Sequence, residues 1–293
     1  MFGKRSDGTL VKDMDPIVAL TPYLMPMRCD AQVFLDVKLP YETLARYIVE
    51  QGHKGYHISF MEILIAAFVR TVSELPEINR FIANKRLYAR KYISVSFTVL
   101  QNTEGDDIAE NTVKCYFDPY DTIYDVAENV NRETEKNRLP ETDSSVLRLA
   151  KILLKPVLAN TVVFLCRTLD RFGIMPKALL DLSPFHTSIW ITNVASIGLP
   201  AVKHHIYNFG TTSMFWSIGV PEKSATVGKE GKAERVRKLP LGVNIDERIC
   251  AGAIYAKMME RLVYYATHPE ELEKKPEKVR VDVCGPITVP KQQ

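Results

Sequence analysis

Four runs rich in β-branched and aromatic residues constrain this chain more than any other feature. They are Ile93–Leu100 (ISVSFTVL), Thr187–Thr192 (TSIWIT), Ser213–Val220 (SMFWSIGV) and Val236–Ile245. Such residues suit a pleated, half-buried surface, so each run reads as a strand. Three of the four follow Pro184, where helical spacing gives way to strand spacing. Gly228–Gly231 (GKEG) supplies a hairpin turn between the last two. Two further strands are expected. Ala31–Lys38 sets Val33, Leu35 and Val37 on one face, and Val113–Phe117 follows a turn at Gly105-Asp106-Asp107.

Helical spacing fills the intervals. Pro40 precedes a short helix with Leu44, Tyr47 and Ile48. Ser59, with Glu62 three residues later, is placed to cap a helix whose buried stripe is Phe60, Ile63, Leu64, Ala67, Phe68 and Thr71. Asp121 is expected to cap a helix over about 123–137, and Gly252 opens the last one, which stops near His268-Pro269. Strands and helices alternate irregularly and no stretch has linker composition. The prediction is one α/β domain with a mixed sheet over residues 16–270, a flexible arm at 1–15 and a loosely held tail at 271–293.

Composition closes off several function classes. The excess of 38 Lys+Arg over 35 Asp+Glu is too small to argue for a nucleic-acid partner. Cys29, Cys115, Cys166, Cys250 and Cys284 are odd in number and lack a Cys-x-x-Cys pair. That argues against a disulfide framework and a zinc site, and a cytoplasmic setting is expected. The longest apolar stretch, Val146–Cys166, is interrupted by Arg148, Lys151, Lys155, Pro156 and Asn160. It reads as a helical excursion at about 146–182, broken at Pro156 and near Gly173, and not as a bilayer span. Peripheral lipid contact is the less favoured reading.

No dinucleotide-binding fingerprint, phosphate loop or nucleophile elbow occurs. His204 and His205 are adjacent, and in a strand they would face opposite ways, so one metal ion would not take both. His53 and His57 flank Gly55, which argues against one helical turn. No metal site is expected.

One series is more specific. Trp190-Ile-Thr-Asn-Val-Ala-Ser-Ile-Gly198, Phe215-Trp-Ser-Ile-Gly219 and Asp246-Glu-Arg-Ile-Cys-Ala-Gly252 occur in that order. Together with Met27–Val37, the helix at 60–73 and Leu75-Pro-Glu-Ile-Asn79, the series resembles the catalytic domain of dihydrolipoamide acyltransferases. More distantly it resembles chloramphenicol acetyltransferase. The resemblance covers most of Pro16–Pro269. It implies a two-layer α/β sandwich with a mixed sheet, a homotrimer with its site between subunits, and in some relatives a higher assembly. It also implies acyl transfer from coenzyme A or another thioester, with no covalently bound cofactor. No lipoyl domain is expected ahead of the similar region.

In that family a His-x-x-x-Asp-Gly motif before the last helix supplies the base. A hydroxyl from a neighbouring subunit holds the oxyanion, and the aspartate pairs with an early arginine. The histidine falls on Glu247, the aspartate on Ala251 and the glycine on Gly252. The hydroxyl falls on Thr192, beside Asn193. No arginine lies between Ser6 and Met27, so both halves of the ion pair are expected to be missing. A thiol titrates near 8.5, histidine near 6.5 and glutamate near 4.3. Proton transfer to an ordinary glutamate therefore costs about 3 kcal/mol more than to histidine, a rate factor of about 10². Burial would remove that deficit. Glu247 thus works as a base only in an apolar pocket; otherwise it pairs with a cation such as Arg248. His204 or His205 is the other expected source of a base. Cys29, near the family's substrate-channel strand, and Cys250, inside the altered motif, could each be a nucleophile, but for both a buried structural thiol is the expectation. Two functions follow from the resemblance: an acyltransferase with Glu247 in place of histidine, or a catalytically inactive homotrimeric scaffold.

Overall fold

The structure, a computed structural model, describes residues 5–101, 110–138, 155–227 and 231–290. Strand periodicity sets its architecture. Along β10 (Ala233–Asp246), Leu241, Val243 and Ile245 enter the main core, and the intervening Gly242, Asn244 and Asp246 point to the opposite face. Neighbouring strands repeat the pattern. Met214, Trp216 and Ile218 of β8 (Met214–Ile218) and Ile189 and Ile191 of β7 (Ile189–Asn193) join the core. Phe215, Ser217, Trp190 and Thr192 lie on the other face.

These strands belong to a seven-stranded sheet ordered β2-β10-β8-β7-β5-β6, with β9 on the outer part of β10. Its other members are β2 (Gln32–Pro40), β5 (Ile93–Leu100), β6 (Glu110–Phe117) and β9 (Glu222–Val227). β7 runs parallel to both β5 and β8, and the remaining pairs are antiparallel, so the sheet is mixed as expected. Four helices cover its core face: α2 (Tyr41–His53), α3 (Phe60–Glu74), α4 (Ile123–Arg138) and α7 (Gly252–Thr267). α3 is buried along nearly its whole length, and Ser59 and Glu62 form the reciprocal cap expected of them. The cap of α4 differs from expectation. Thr122 and Asp125 close its first turn, while Asp121 accepts from the Asp118 amide.

A strap of residues 199–212 crosses the opposite face. Ser217 Oγ both donates to the Val202 carbonyl and accepts from its amide at 2.9 Å. Asn244 donates to the His204 carbonyl at 2.6 Å, and Gln32 accepts from the Ile206 amide at 2.7 Å. The strap lies so close that glycine is required beneath it. A Cβ on Gly242 would overlap the Val202 carbonyl and sit 2.7 Å from Ser217 Oγ, and one on Gly219 would overlap the Ala201 backbone.

Several segments differ from the sequence reading. Of the expected flexible arm at 1–15, the described residues 5–15 are partly structured. Gly8–Leu10 forms β1 on the edge of a small sheet ordered β1-β4-β3, with β3 at Arg80–Ala83 and β4 at Arg86–Arg90. Arg5 and Asp7 are buried, and Pro16–Leu24 forms α1. The tail is also held, because Arg80 binds Asp282 through two bonds of 2.7 and 2.8 Å and the Thr288 amide bonds to Lys91. Of the excursion, residues 139–154 lie outside the described residues. The rest forms α5 (Pro156–Phe172), closed by Gly173 at φ +71°, and α6 (Lys177–Leu182). α5 leaves Val157, Phe164 and Leu165 exposed. No helix among the described residues is long and apolar enough to cross a membrane. Both expected turns, at 105–107 and at 228–231, fall wholly or largely outside the described residues. The second would join β9 to β10, β9 being a strand the sequence reading omitted.

The strap yields a test. Gly242→Ala should cost about 1–3 kcal/mol in urea unfolding, because the Val202 backbone carbonyl, as well as Ser217 Oγ, meets the new methyl. A loss below about 0.5 kcal/mol, the range of neutral surface changes, would mean that the strap is not packed as described.

Candidate active site

β10 ends at Asp246, and the turn to α7 carries the residues expected to do chemistry. Asp246 is fully buried on the strap side of the sheet. Arg248 holds it in a fork, Nε to Oδ1 at 2.7 Å and Nη2 to Oδ2 at 2.6 Å. Arg28 Nε stands 3.4 Å from the same carboxylate. The arginines also reach outward. Arg248 donates to the Met25 carbonyl at 2.8 Å, and Arg28 donates to the carbonyls of Tyr207 and Ile82 at 2.9 and 3.1 Å. Tyr255 of α7 donates to the Asp246 carbonyl. The cluster therefore pins the N-terminal segment, the strap, β3 and α7 to the end of β10. Ala251 carries no carboxylate, as the sequence reading states, but the turn does have an arginine–aspartate cluster, in which Asp246 is held by Arg248 and Arg28.

A second buried charge network lies beside it. Arg5 forks onto Asp7 at 2.7 and 2.9 Å and reaches Asp170, at the end of α5, at 2.5 Å. His186 Nε2 is 3.5 Å from Asp170, and its Nδ1 lies 2.7 Å from Ser183 Oγ. Burial alone would raise the Asp170 carboxyl, but His186 and the Arg5 guanidinium outweigh it and hold it well below the usual range. Asp7 is lowered likewise, with burial opposed by its bonds and charge contact to Arg5.

Glu247 is exposed on the chain's surface, and its amide donates to the Ala31 carbonyl at 2.9 Å. Its expected pairing with Arg248 does not form, because Asp246 takes that guanidinium. Cys29 is exposed at the same end of the sheet. Its thiol accepts from Asn208 Nδ2 at 3.3 Å, and Asn208 Oδ1 accepts the amides of Arg28 and Cys29. Cys250 is buried and its thiol is pushed up to about 12 by that burial, which suits a structural role. Gly252 is the first residue of α7, and a Cβ there would meet nothing within 4 Å, so packing within the chain does not demand glycine.

His204 and His205 lie in the strap, where the His204 carbonyl accepts from Asn244, three residues before Glu247. His204 is stacked on Phe215 with ring centroids 4.0 Å apart, and its Nδ1 is 2.8 Å from the His205 carbonyl. That bond assigns the proton to Nδ1 and leaves Nε2 as an acceptor. Burial lowers the His204 pKa, so the ring is neutral at pH 7. His205 is exposed and stacks on His204.

Thr192 is half-buried on the strap side of β7, and Asn193 is exposed at the strand's end. The strand register separates Thr192 from Glu247. Thr192 lies opposite Ser217, Ser217 lies opposite Gly242, and Glu247 is five residues further on. That places the two roughly 17 Å apart along the strands and about 10 Å apart across them. Within one chain they cannot act on the same acyl group. Among the described residues no cluster of His, Cys, Asp and Glu could hold a metal ion.

Two outcomes are expected of the buried charges. Asp246→Asn strands two arginines and should cost about 3–5 kcal/mol in chemical unfolding. A cost below about 1 kcal/mol would show that the cluster does not hold the turn. Asp7 and Asp170 titrate lower when folded than unfolded. Their stabilisation is complete above the unfolded value near 4 and is lost as pH falls below it towards the folded values. Asp170→Asn should flatten the acid limb of stability against pH, and an unchanged limb would exclude Asp170 as a source.

No family model and no curated protein sequence matches the chain. Solved structures do. A dihydrolipoamide acetyltransferase (E2p) of Azotobacter vinelandii, whose serine, histidine and asparagine were investigated for their role in catalysis, aligns at 16% identity. The alignment covers 90% of this chain and 94% of that one, with a TM-score of 0.55. A probable dihydrolipoamide acetyltransferase from Listeria monocytogenes 4b F2365 aligns at 13% identity over 92% and 98% of the two chains, with a TM-score of 0.54. A chloramphenicol acetyltransferase aligns at 12% identity over 88% and 99%, with a TM-score of 0.50. The sheet order, the helical layer and these alignments agree, and the chain has the chloramphenicol acetyltransferase-like fold of the dihydrolipoamide acyltransferase catalytic cores.

Proposed function

We propose that the protein transfers an acyl group from a thioester donor, with coenzyme A as the thiol, at a site completed by a second copy in a homotrimer. The observation that carries this reading is the separation of Thr192 from Glu247. A base at one end of the sheet and an oxyanion donor at the other make sense when neighbouring copies bring unlike ends together. The β9–β10 ribbon adds support, because it extends beyond the sheet with both strands largely exposed, and such a ribbon gains stability by packing on something.

Glu247 takes the proton of the attacking thiol or acceptor. Its exposure in a single chain gives it no apolar pocket, so its basicity depends on a neighbour excluding water from it. Thr192 donates to the developing oxyanion, with Asn193 beside it. Cys29, Asn208 and the fixed turn around Gly252 line the Glu247 end. Should Glu247 not be the base, His204, neutral with a free Nε2, is the second candidate, with His205 behind it. The inactive scaffold reading rests on one specific observation, the solvent-exposed carboxylate where a base is expected.

Complementation separates these readings. Glu247→Gln and Thr192→Ala should each lower thiol release from acetyl-CoA, the latter by about 10²-fold as for other oxyanion donors. Mixed trimers of the two variants should regain part of the activity. Equal rates for Glu247→Gln and wild type would remove Glu247 from the mechanism. No recovery in mixed trimers, or a monomer by light scattering, would exclude the shared site. No release with any thiol or amine acceptor, together with no coenzyme A binding by calorimetry, would leave the scaffold.

A further inference from the structure

A cleft of about 560 Å³ opens beside the Asp246 cluster, between the end of α1, the Asn84–Lys85 turn and the end of α5. Its charged lining is Lys85, Arg28, Arg167, Arg171 and Arg248 against one carboxylate, Asp170. Asp170 is already held by Arg5, and Asp246 behind the floor is shared by Arg28 and Arg248. With Arg5, Asp7 and Asp246 included, three positive charges remain uncompensated.

The cations differ in what they offer. Arg248 and Arg28 form a rigid buried floor, and Arg28 Nε has no hydrogen-bond partner among the described residues. Arg167 and Arg171 lie one helical turn apart on α5. Arg167 has no partner among the described residues. Arg171 spends only Nε, on Asn84 Oδ1 at 3.1 Å, which leaves both terminal nitrogens for a ligand. Lys85 rests over the Tyr23 ring. Several guanidinium forks lining one concave site match an anion with several oxygens and more than one charge.

We propose that this cleft binds the phosphate groups of a phosphorylated small molecule, with Arg167 and Arg171 as the direct ligands and Arg28 and Arg248 as the fixed positive floor. The volume accommodates more than a bare ion. The inference rests on the cleft alone and stands whether or not the protein transfers acyl groups.

Calorimetry of the full chain with inorganic pyrophosphate tests it. Saturable binding of one pyrophosphate per chain is expected. It should weaken at least about tenfold in the double variant Arg167→Ala, Arg171→Ala, as expected for removing charge-assisted bonds. Both side chains are largely or partly exposed, so the fold should survive, and circular dichroism checks that it does. Lys85→Ala should weaken binding by a smaller factor, and Lys136→Ala, on the distant surface of α4, should leave it unchanged. Absence of saturable binding at millimolar pyrophosphate would overturn the proposal. So would binding undiminished in the double variant, and citrate binding as tightly as pyrophosphate would overturn the assignment to phosphate.

Discussion

The fork between Asp246 and Arg248, with Arg28 closing on the same carboxylate, is the constraint on which the rest of this structure depends. It fastens five segments of distant sequence at one point: the stretch before β2, β3, the strap, the end of β10 and the start of α7. A buried ion pair of this kind adds little net stability compared with apolar residues of equal volume. Its value is geometric. Each arginine spends its remaining donors on carbonyls of other segments, so the turn carrying Glu247 has one arrangement.

The sheet was legible in the sequence because its strands alternate strongly. Ile93–Leu100 matches its expected bounds, and the three later strands differ by one to three residues at their ends. β1, β3, β4 and β9 were not legible, since they are short or polar, and the partner of β1 is remote in sequence. The buried arm was missed for a related reason. Arg5 and Asp7 read as solvated charges until Asp170, far along the chain, is brought beside them.

The site was legible in part. The ordered motifs around Trp190, Phe215 and Asp246 led to the fold, and one of their glycines, Gly219, has a visible cause in the strap that presses on it. The ion cluster was not foreseen because the resemblance points to Ala251 for a carboxylate, whereas this cluster is built on Asp246 at the end of β10, with Arg248 two residues on and Arg28 before β2. An Asp-x-Arg at the end of a buried strand, with an arginine just before the first strand, was the available signal. The five-cation cleft had no linear signature, because Lys85, Arg167 and Arg248 are separated by most of the chain.

The small sheet has a further consequence. β4 lies between β3 and β1, so Gly8–Leu10 satisfies hydrogen-bonding groups of β4 that would otherwise face solvent as a row. A chain trimmed of those residues, or fused to a bulky tag that pulls them away, would display a raw strand border open to its own kind. The opening residues thus act as a selvedge that keeps one molecule from being stitched to the next.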